Sequence, residues 1–247
     1  YLRQSNIKFD QITRLQCEGF LKKMKLVYKP NTIAKNMSIL SSVFNEAIKS
    51  EIIRKNPIQG IEWKKEKIHK NFLLESQIIE ILNLDFTEYL KGFKKGSASK
   101  IKESRDVFIL SCFTGLRVSD ALSINPSNVD LKKNELNIVQ IKTKDLVTIP
   151  LHENALVLLE RYNYQSPKVS AVHVNLNLKI IGNLLELKYD LTFHLARHTF
   201  ICWLLSKGVD IYTVSKLAGH NDVRTTMIYA KLVDNAKKNA INQLPIL

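Results

Sequence analysis

The segment HLARHTFICWLLSKGVDIYTVSKLAGHNDVRTTMIY spans residues 194–229 and carries three successive helical patterns, over 193–206, 210–218 and 222–232. It also concentrates side chains that handle protons and anions. His194 and Arg197 form a His-x-x-Arg pair on the first helix. Gly219-His220 closes the second, where glycine is a common stop and histidine suits the helix dipole. Tyr229 comes nine residues after His220. Taken singly, each has an ordinary explanation: a solvated helix face, a cap, a tyrosine packed beside Ile228.

Two upstream segments extend the set. TGLRVSD (114–120) breaks a buried helix over 106–113 and starts another at Leu116–Leu122 that ends near Pro126. QIKTK (140–144) sits at the tip of a hairpin between the β-branched runs 136–141 and 146–149. Exchange of a phosphodiester needs cations for the charge that grows on the non-bridging oxygens, and guanidinium groups stay charged and fork onto two oxygens. It also needs a nucleophile in line and a proton for the leaving oxygen. Arg117, Arg197, Lys142, His194, His220 and Tyr229 suffice for that work. A phenol has a free pKa of about 10, so Tyr229 needs neighbouring cations or a base.

Helical patterns also cover 10–55, with Asn31 or Thr32 after Lys29-Pro30 opening a second helix, until Asn56-Pro57 and Gly60 break the periodicity. WKKEKIHK (63–70) is basic and has almost no core signal. It reads as a linker, solvated or lying along a phosphate backbone, with Lys64, Lys65, Lys67 and Lys70 as contacts. A second pattern starts at residue 72, with a helix over 74–84 and then a basic glycine- and serine-containing loop over 92–102. After Leu151 the chain reads as helices throughout, including 153–162, roughly 175–187, and a last one near 234–242. The expected fold is mainly α: a small helical domain over 1–62, a linker over 63–71, and over 72–247 a helical domain with a small antiparallel sheet and a C-terminal tail.

The chain has 247 residues, 45% of them hydrophobic and 24% charged, a globular composition able to bury a core. Its apolar runs are too short to cross a bilayer, so no membrane association is expected. No signal peptide is apparent, and the missing initiator Met suggests a fragment of a longer protein. Cys17, Cys112 and Cys202 are widely spaced and odd in number, which disfavours disulfides and a cysteine zinc site and fits a reducing cytoplasm. His194 and His198 are four residues apart, as in zinc-binding helices, but Leu195 replaces the glutamate such enzymes use and Arg197 would stand beside the metal. No metal or other cofactor is expected, and His198 reads as a structural helix residue. A net charge of +14 makes nucleic acid the natural partner.

In their order, the four chemical segments resemble the signature of the tyrosine recombinase (phage integrase) family. That signature is an Arg box after Thr-Gly, a Lys in a β-hairpin, His-x-x-Arg, and Gly-His with a Tyr nine residues on. Thr225-Thr226 also precedes the tyrosine as the family often shows. The resemblance covers nearly the whole chain, most strongly 105–232. It implies a SAM-like core-binding domain, here partial, and a catalytic domain that together grip double-stranded DNA. It also implies a metal- and ATP-independent strand exchange through a 3′-phosphotyrosine.

By the same resemblance Arg117 and Arg197 clamp the scissile phosphate. His194 hydrogen-bonds a non-bridging oxygen or assists proton movement, His220 contacts the phosphate or the tyrosine oxygen, Tyr229 attacks, and Lys142 protonates the 5′-oxygen. Lys144 is the rival for that last role, and it and Arg224 are further DNA-binding candidates. Asp120 matches an acidic position that orients the catalytic groups. The family works as tetramers on paired sites, which implies a monomer without DNA, and the chain would be bacterial or phage-encoded and nucleoid-associated. There are departures: Ala218 stands where Leu is commoner, and the earliest core-binding helix and any arm-site domain are expected to be missing from these 247 residues. A type IB topoisomerase and a non-catalytic DNA-binding protein on the same scaffold are the alternatives.

Overall fold

The computed structural model describes residues 7–66, 71–86, 89 and 96–242, with the side chains of Ser97 and of residues 235–242 left aside. Lys67, Lys70, residues 92–95 of the basic loop, and the tail residues Leu244, Ile246 and Leu247 lie outside it. The chain divides into two compact units, Tyr1–His69 and Lys70–Leu247.

In the first unit, α1 (Arg14–Val27) and α2 (Pro30–Lys49) pack through Cys17, Leu21, Met24, Ile33, Met37 and Phe44, joined by Ile58. Thr13 caps α1 by accepting from the Gln16 amide, and Pro30 opens α2, where its missing N–H costs nothing. Trp63 lies against this core, and the Asn31 side chain bonds the Glu66 backbone in both directions at 3.1 Å. The start of the stretch read as a linker is therefore held on the first unit. Lys64 and Lys65 within it are exposed.

The second unit is built around α4 (Ser97–Thr114), which is buried along nearly its whole length from Ile101 onward, apolar and polar residues alike. Around it pack α3 (Glu75–Asn83), α6 (Glu153–Arg161), α7 (Ala171–Leu184) and α8 (Phe193–Ser206). Its buried Asp106 accepts from Arg161 at 2.8 Å and Tyr162 at 2.9 Å and pairs with Arg105 at 3.1 Å, so this carboxylate is not left alone in the core. The helix begins where the sequence reads as loop. Asn177 of α7 donates to the Lys100 carbonyl and Ser104, tying this lysine- and serine-rich first turn down.

The sheet is antiparallel in the order β1 (Val129–Asp130), β2 (Glu135–Val139), β3 (Leu146–Pro150). The expected hairpin is β2–β3. Leu136, Ile138, Val147 and Ile149 alternate inward, as period-two patterning requires. The two-residue β1 is an addition, too short to leave a periodic signal. After α8 come α9 (Ile211–Leu217) and α10 (Arg224–Asn242), which runs unbroken where two helices were expected. The mainly helical fold with a small antiparallel sheet is the one expected. Among the described residues no helix is long and apolar enough to cross a membrane.

Candidate active site

The second unit gathers its candidate side chains where the turn after α4, the β2–β3 turn, α8 and α10 meet. Helix α4 ends at Gly115, whose φ of +69° favours glycine, and a Cβ there would come 2.4 Å from the Phe200 ring. This tight turn aims Arg117, the residue before the short α5 (Val118–Ala121). Arg117 Nη1 donates to Gln140 Oε1 at 2.7 Å and Nη2 donates to the Gly219 carbonyl at 3.3 Å. Asp120, fully buried, lies 3.8 Å from Arg117 and accepts from the Ile141 amide at 2.9 Å.

Arg197 is 2% exposed, and its Nη1 donates to the Gly115 carbonyl at 2.8 Å. Burial pulls its pKa down to about 10, and the charge of Arg117 pulls in the same direction. It therefore stays cationic at neutral pH, in a place where a cation is costly. Its Nη2 and Asp120 Oδ2 are the buried side-chain polar atoms with no hydrogen-bond partner among the described residues. Two guanidiniums that raise each other's cost, one with a donor unmatched, make a site that an oxyanion would relieve.

Tyr229 sits on α10 within the cluster of Phe200, Ile201, Cys202, Val214, Ala218 and Val233, and is 2% exposed. Burial pushes its pKa up to about 12 against the opposing pull of Arg197. Its hydroxyl is hydrogen-bonded to His198 Nδ1 at 2.5 Å. His198 in turn packs edge-on against His194, with centroids 4.4 Å apart. The sequence reads His198 as a structural helix residue; the structure instead pairs it with Tyr229, 31 residues away. His220, on the α9–α10 turn, shares a 2.8 Å hydrogen bond through Nδ1 with Thr226 Oγ1, and its neighbour Gly219 supplies the carbonyl that Arg117 meets.

Lys142 is exposed on the β2–β3 turn, two residues from Gln140. Lys144 is also exposed and takes the left-handed conformation of that turn, φ +64°. Gln140, 1% exposed, carries no functional signal in the sequence, yet it holds two of the candidate elements together. Its Oε1 accepts from both Arg117 and Thr143 Oγ1, the latter at 2.9 Å, and so binds the lysine-bearing turn to the arginine. Arg224 is turned to Asp222 at 2.8 Å and does not join the cluster, and Lys64 and Lys65 belong to the first unit. Among the described residues no group of three or more His, Cys, Asp and Glu side chains is placed to hold a metal ion.

Residues 71–236 match the family described as "Phage integrase family", and residues 1–68 match "Phage integrase SAM-like domain". A tyrosine recombinase of Pseudothermotoga lettingae is 28% identical over 99% of this chain and 86% of its own length. Tyrosine recombinase XerD of Lacticaseibacillus casei is 27% identical over 87% of the chain and 77% of its own. Among solved structures, the Tn1549 transposon integrase in complex with a circular intermediate DNA aligns with a TM-score of 0.73 at 18% identity, covering 92% of this chain and 85% of that one. A lambda integrase dimer bound to a COC′ core site aligns with a TM-score of 0.70 at 19% identity, covering 93% and 84%.

Proposed function

The chain belongs to the phage integrase family, and from that membership we propose how its residues carry out the reaction. It is a tyrosine recombinase, an enzyme that breaks and rejoins DNA at specific sites through a covalent protein–DNA intermediate. The observation that carries the residue assignment is the pair Arg117 and Arg197 beside Tyr229, with a buried guanidinium nitrogen unmatched.

The scissile phosphate enters between the two arginines, which neutralise the charge that builds in the transition state. His194 and His220 contact the phosphate oxygens. Tyr229 Oη attacks phosphorus, the bond to the 5′-oxygen breaks, and Lys142 supplies the proton that oxygen takes up. The product is a 3′-phosphotyrosine and a free 5′-hydroxyl. Ligation runs the same steps backwards, so neither a nucleotide triphosphate nor a metal is called for. Asp120 orients Arg117 and the hairpin.

The core-binding part, residues 1–62, and the catalytic part, residues 72–247, both bind duplex DNA. The basic linker over 63–71 follows the backbone through Lys64, Lys65, Lys67 and Lys70, helped by Lys144 and Arg224. The assembly on paired sites is a homotetramer formed from DNA-free monomers, acting in the cytoplasm on the nucleoid of a bacterium or on a phage genome.

The test is a nicked suicide substrate with an excess of chelator present. The parent should leave a detergent-resistant adduct, and Tyr229→Phe should bind DNA equally well and leave none. An adduct surviving in Tyr229→Phe, or one lost to EDTA and restored by magnesium or zinc, overturns the assignment.

A further inference from the structure

We propose that His198 is a catalytic residue, the base that receives the proton of Tyr229 as its oxygen attacks. This rests on the assignment of Tyr229 as nucleophile and extends it to a residue that the resemblance left out.

Three observations lead there. The Tyr229 hydroxyl meets His198 Nδ1 in the DNA-free protein, so nucleophile and acceptor are already paired. Burial makes the phenol harder to ionise, so attack at neutral pH needs a partner that takes the proton during the step. His198 also adjoins Arg197 on α8, and residues 194, 197 and 198 share one helix face. A phosphate gripped by Arg197 thus arrives within a residue of the base. His220 shares its Nδ1 with Thr226, the His194 ring packs edge-on against His198, and the His198 ring lies 5.1 Å from that of Tyr229.

The step balances. The Tyr229 Oη–P bond forms as the P–O5′ bond breaks. The phenolic proton passes to His198 Nδ1, and the 5′-oxygen takes a proton from Lys142. In ligation the 5′-hydroxyl returns its proton to Lys142 while the imidazolium returns one to the departing tyrosine oxygen. A full cycle leaves no net proton change.

His198→Asn keeps a hydrogen-bonding group near the Nδ1 position but is no base, and His198→Ala removes both. Single-turnover adduct formation on a nicked substrate would be measured alongside DNA binding by fluorescence anisotropy and thermal melting. Both variants should bind DNA as the parent does and form adduct more slowly by ~10²-fold or more, the ordinary contribution of a positioned base. Imidazole added to His198→Ala should restore part of the rate, more so with more basic imidazoles. A parental rate in His198→Asn overturns the proposal and reduces the contact to positioning. Faster adduct formation in His198→Ala overturns it too, and makes the histidine a restraint on the tyrosine. If His198→Asn melts early, the absence of any imidazole effect on a DNA-binding His198→Ala decides against the proposal. Tyr229→Phe with imidazole is the control: an adduct there refutes the nucleophile assignment itself, separately from the base.

Discussion

Removal of the Gln140 side chain should slow DNA cleavage without loosening DNA binding. Gln140 is 1% exposed, and its Oε1 accepts from the charged Arg117 Nη1 at 2.7 Å and from Thr143 at 2.9 Å. Its backbone closes the turn, donating to the Asp145 carbonyl and accepting from the Lys144 amide, both at 2.9 Å. Those backbone bonds survive in Gln140→Ala, so the turn should persist. Arg117 would keep a 3.3 Å contact to Gly219 and a 3.8 Å pairing with Asp120, and would lose its best-formed bond. A hydrogen bond to a charged group contributes roughly 1.5–3 kcal/mol. If all of it serves to aim the guanidinium in the transition state, cleavage slows by about 10- to 150-fold, at tenfold per ~1.4 kcal/mol. The assay is single-turnover adduct formation on a nicked substrate, run in parallel with one that carries sulfur at the 5′-bridging position. A thiolate leaves without protonation, so sulfur should rescue Lys142→Ala. It should not rescue Gln140→Ala, whose defect lies in the phosphate clamp. A parental rate in Gln140→Ala, or full rescue by sulfur, would refute the reasoning.

Gly219 has φ +59°, and a Cβ there would fall 2.1 Å from Gln140 Nε2. Gly219→Ala should therefore lose ~1–2 kcal/mol to the left-handed backbone alone, and more by displacing Gln140. Melting of Gly219→Ala, Gln140→Ala and the double variant should show less than additive loss, because truncating Gln140 makes room; strict additivity would deny the contact. The raised pKa of Tyr229 sets a pH dependence. The unfolded phenol ionises near pH 10 and the folded one near pH 12, so this contribution, at most ~3 kcal/mol, is whole below about pH 10 and is lost as pH rises through 12. Denaturant titrations from pH 8 upward should show a steeper decline in the parent than in Tyr229→Phe, and equal slopes would mean the hydroxyl is not buried. Deleting residues 234–247 keeps the buried Val233 and should spare single-site binding, while sedimentation on paired sites should show weakened assembly and strand exchange. Unchanged assembly would leave that tail a local cover.

What could be read from the sequence is what short-range periodicity and local spacing encode. The β2–β3 hairpin alternates strictly, and α2 and α8 announce themselves by pattern. The ordered segments around Arg117, Lys142, His194, Arg197, His220 and Tyr229 mark a candidate site, because each segment is only a few residues long. Features that depend on partners far along the chain were not legible. The start of α4 reads as loop by composition and is helix because Asn177, over seventy residues later, holds its first turn. Gln140 reads as the end of a strand, and only its contact with Arg117 across 23 positions brings it into the candidate site. His198 carries no local signal beyond its place beside Arg197.

Native interiors match nearly all their buried polar groups, and sequences are shaped so that local and tertiary demands agree. This chain follows the rule even where it is expensive. Asp106, deep in the core, gathers Arg105, Arg161 and Tyr162, and Asn56 spans Ser41 and Asn45. The two exceptions among the described residues, Arg197 Nη2 and Asp120 Oδ2, both stand at the arginine pair. An arginine held cationic without its full set of acceptors destabilises the free protein, and a phosphate in its fork would recover that loss on binding. Asp120 has the opposite effect: it draws Arg117 and, through the Ile141 amide, the lysine-bearing turn toward one point, and it accepts an unmatched oxygen to do so. A core selected for stability alone would have filled both positions with apolar side chains. That both departures fall within one cluster, beside the buried hydroxyl of Tyr229, is a physical reason to look for the chemistry there, independent of any motif.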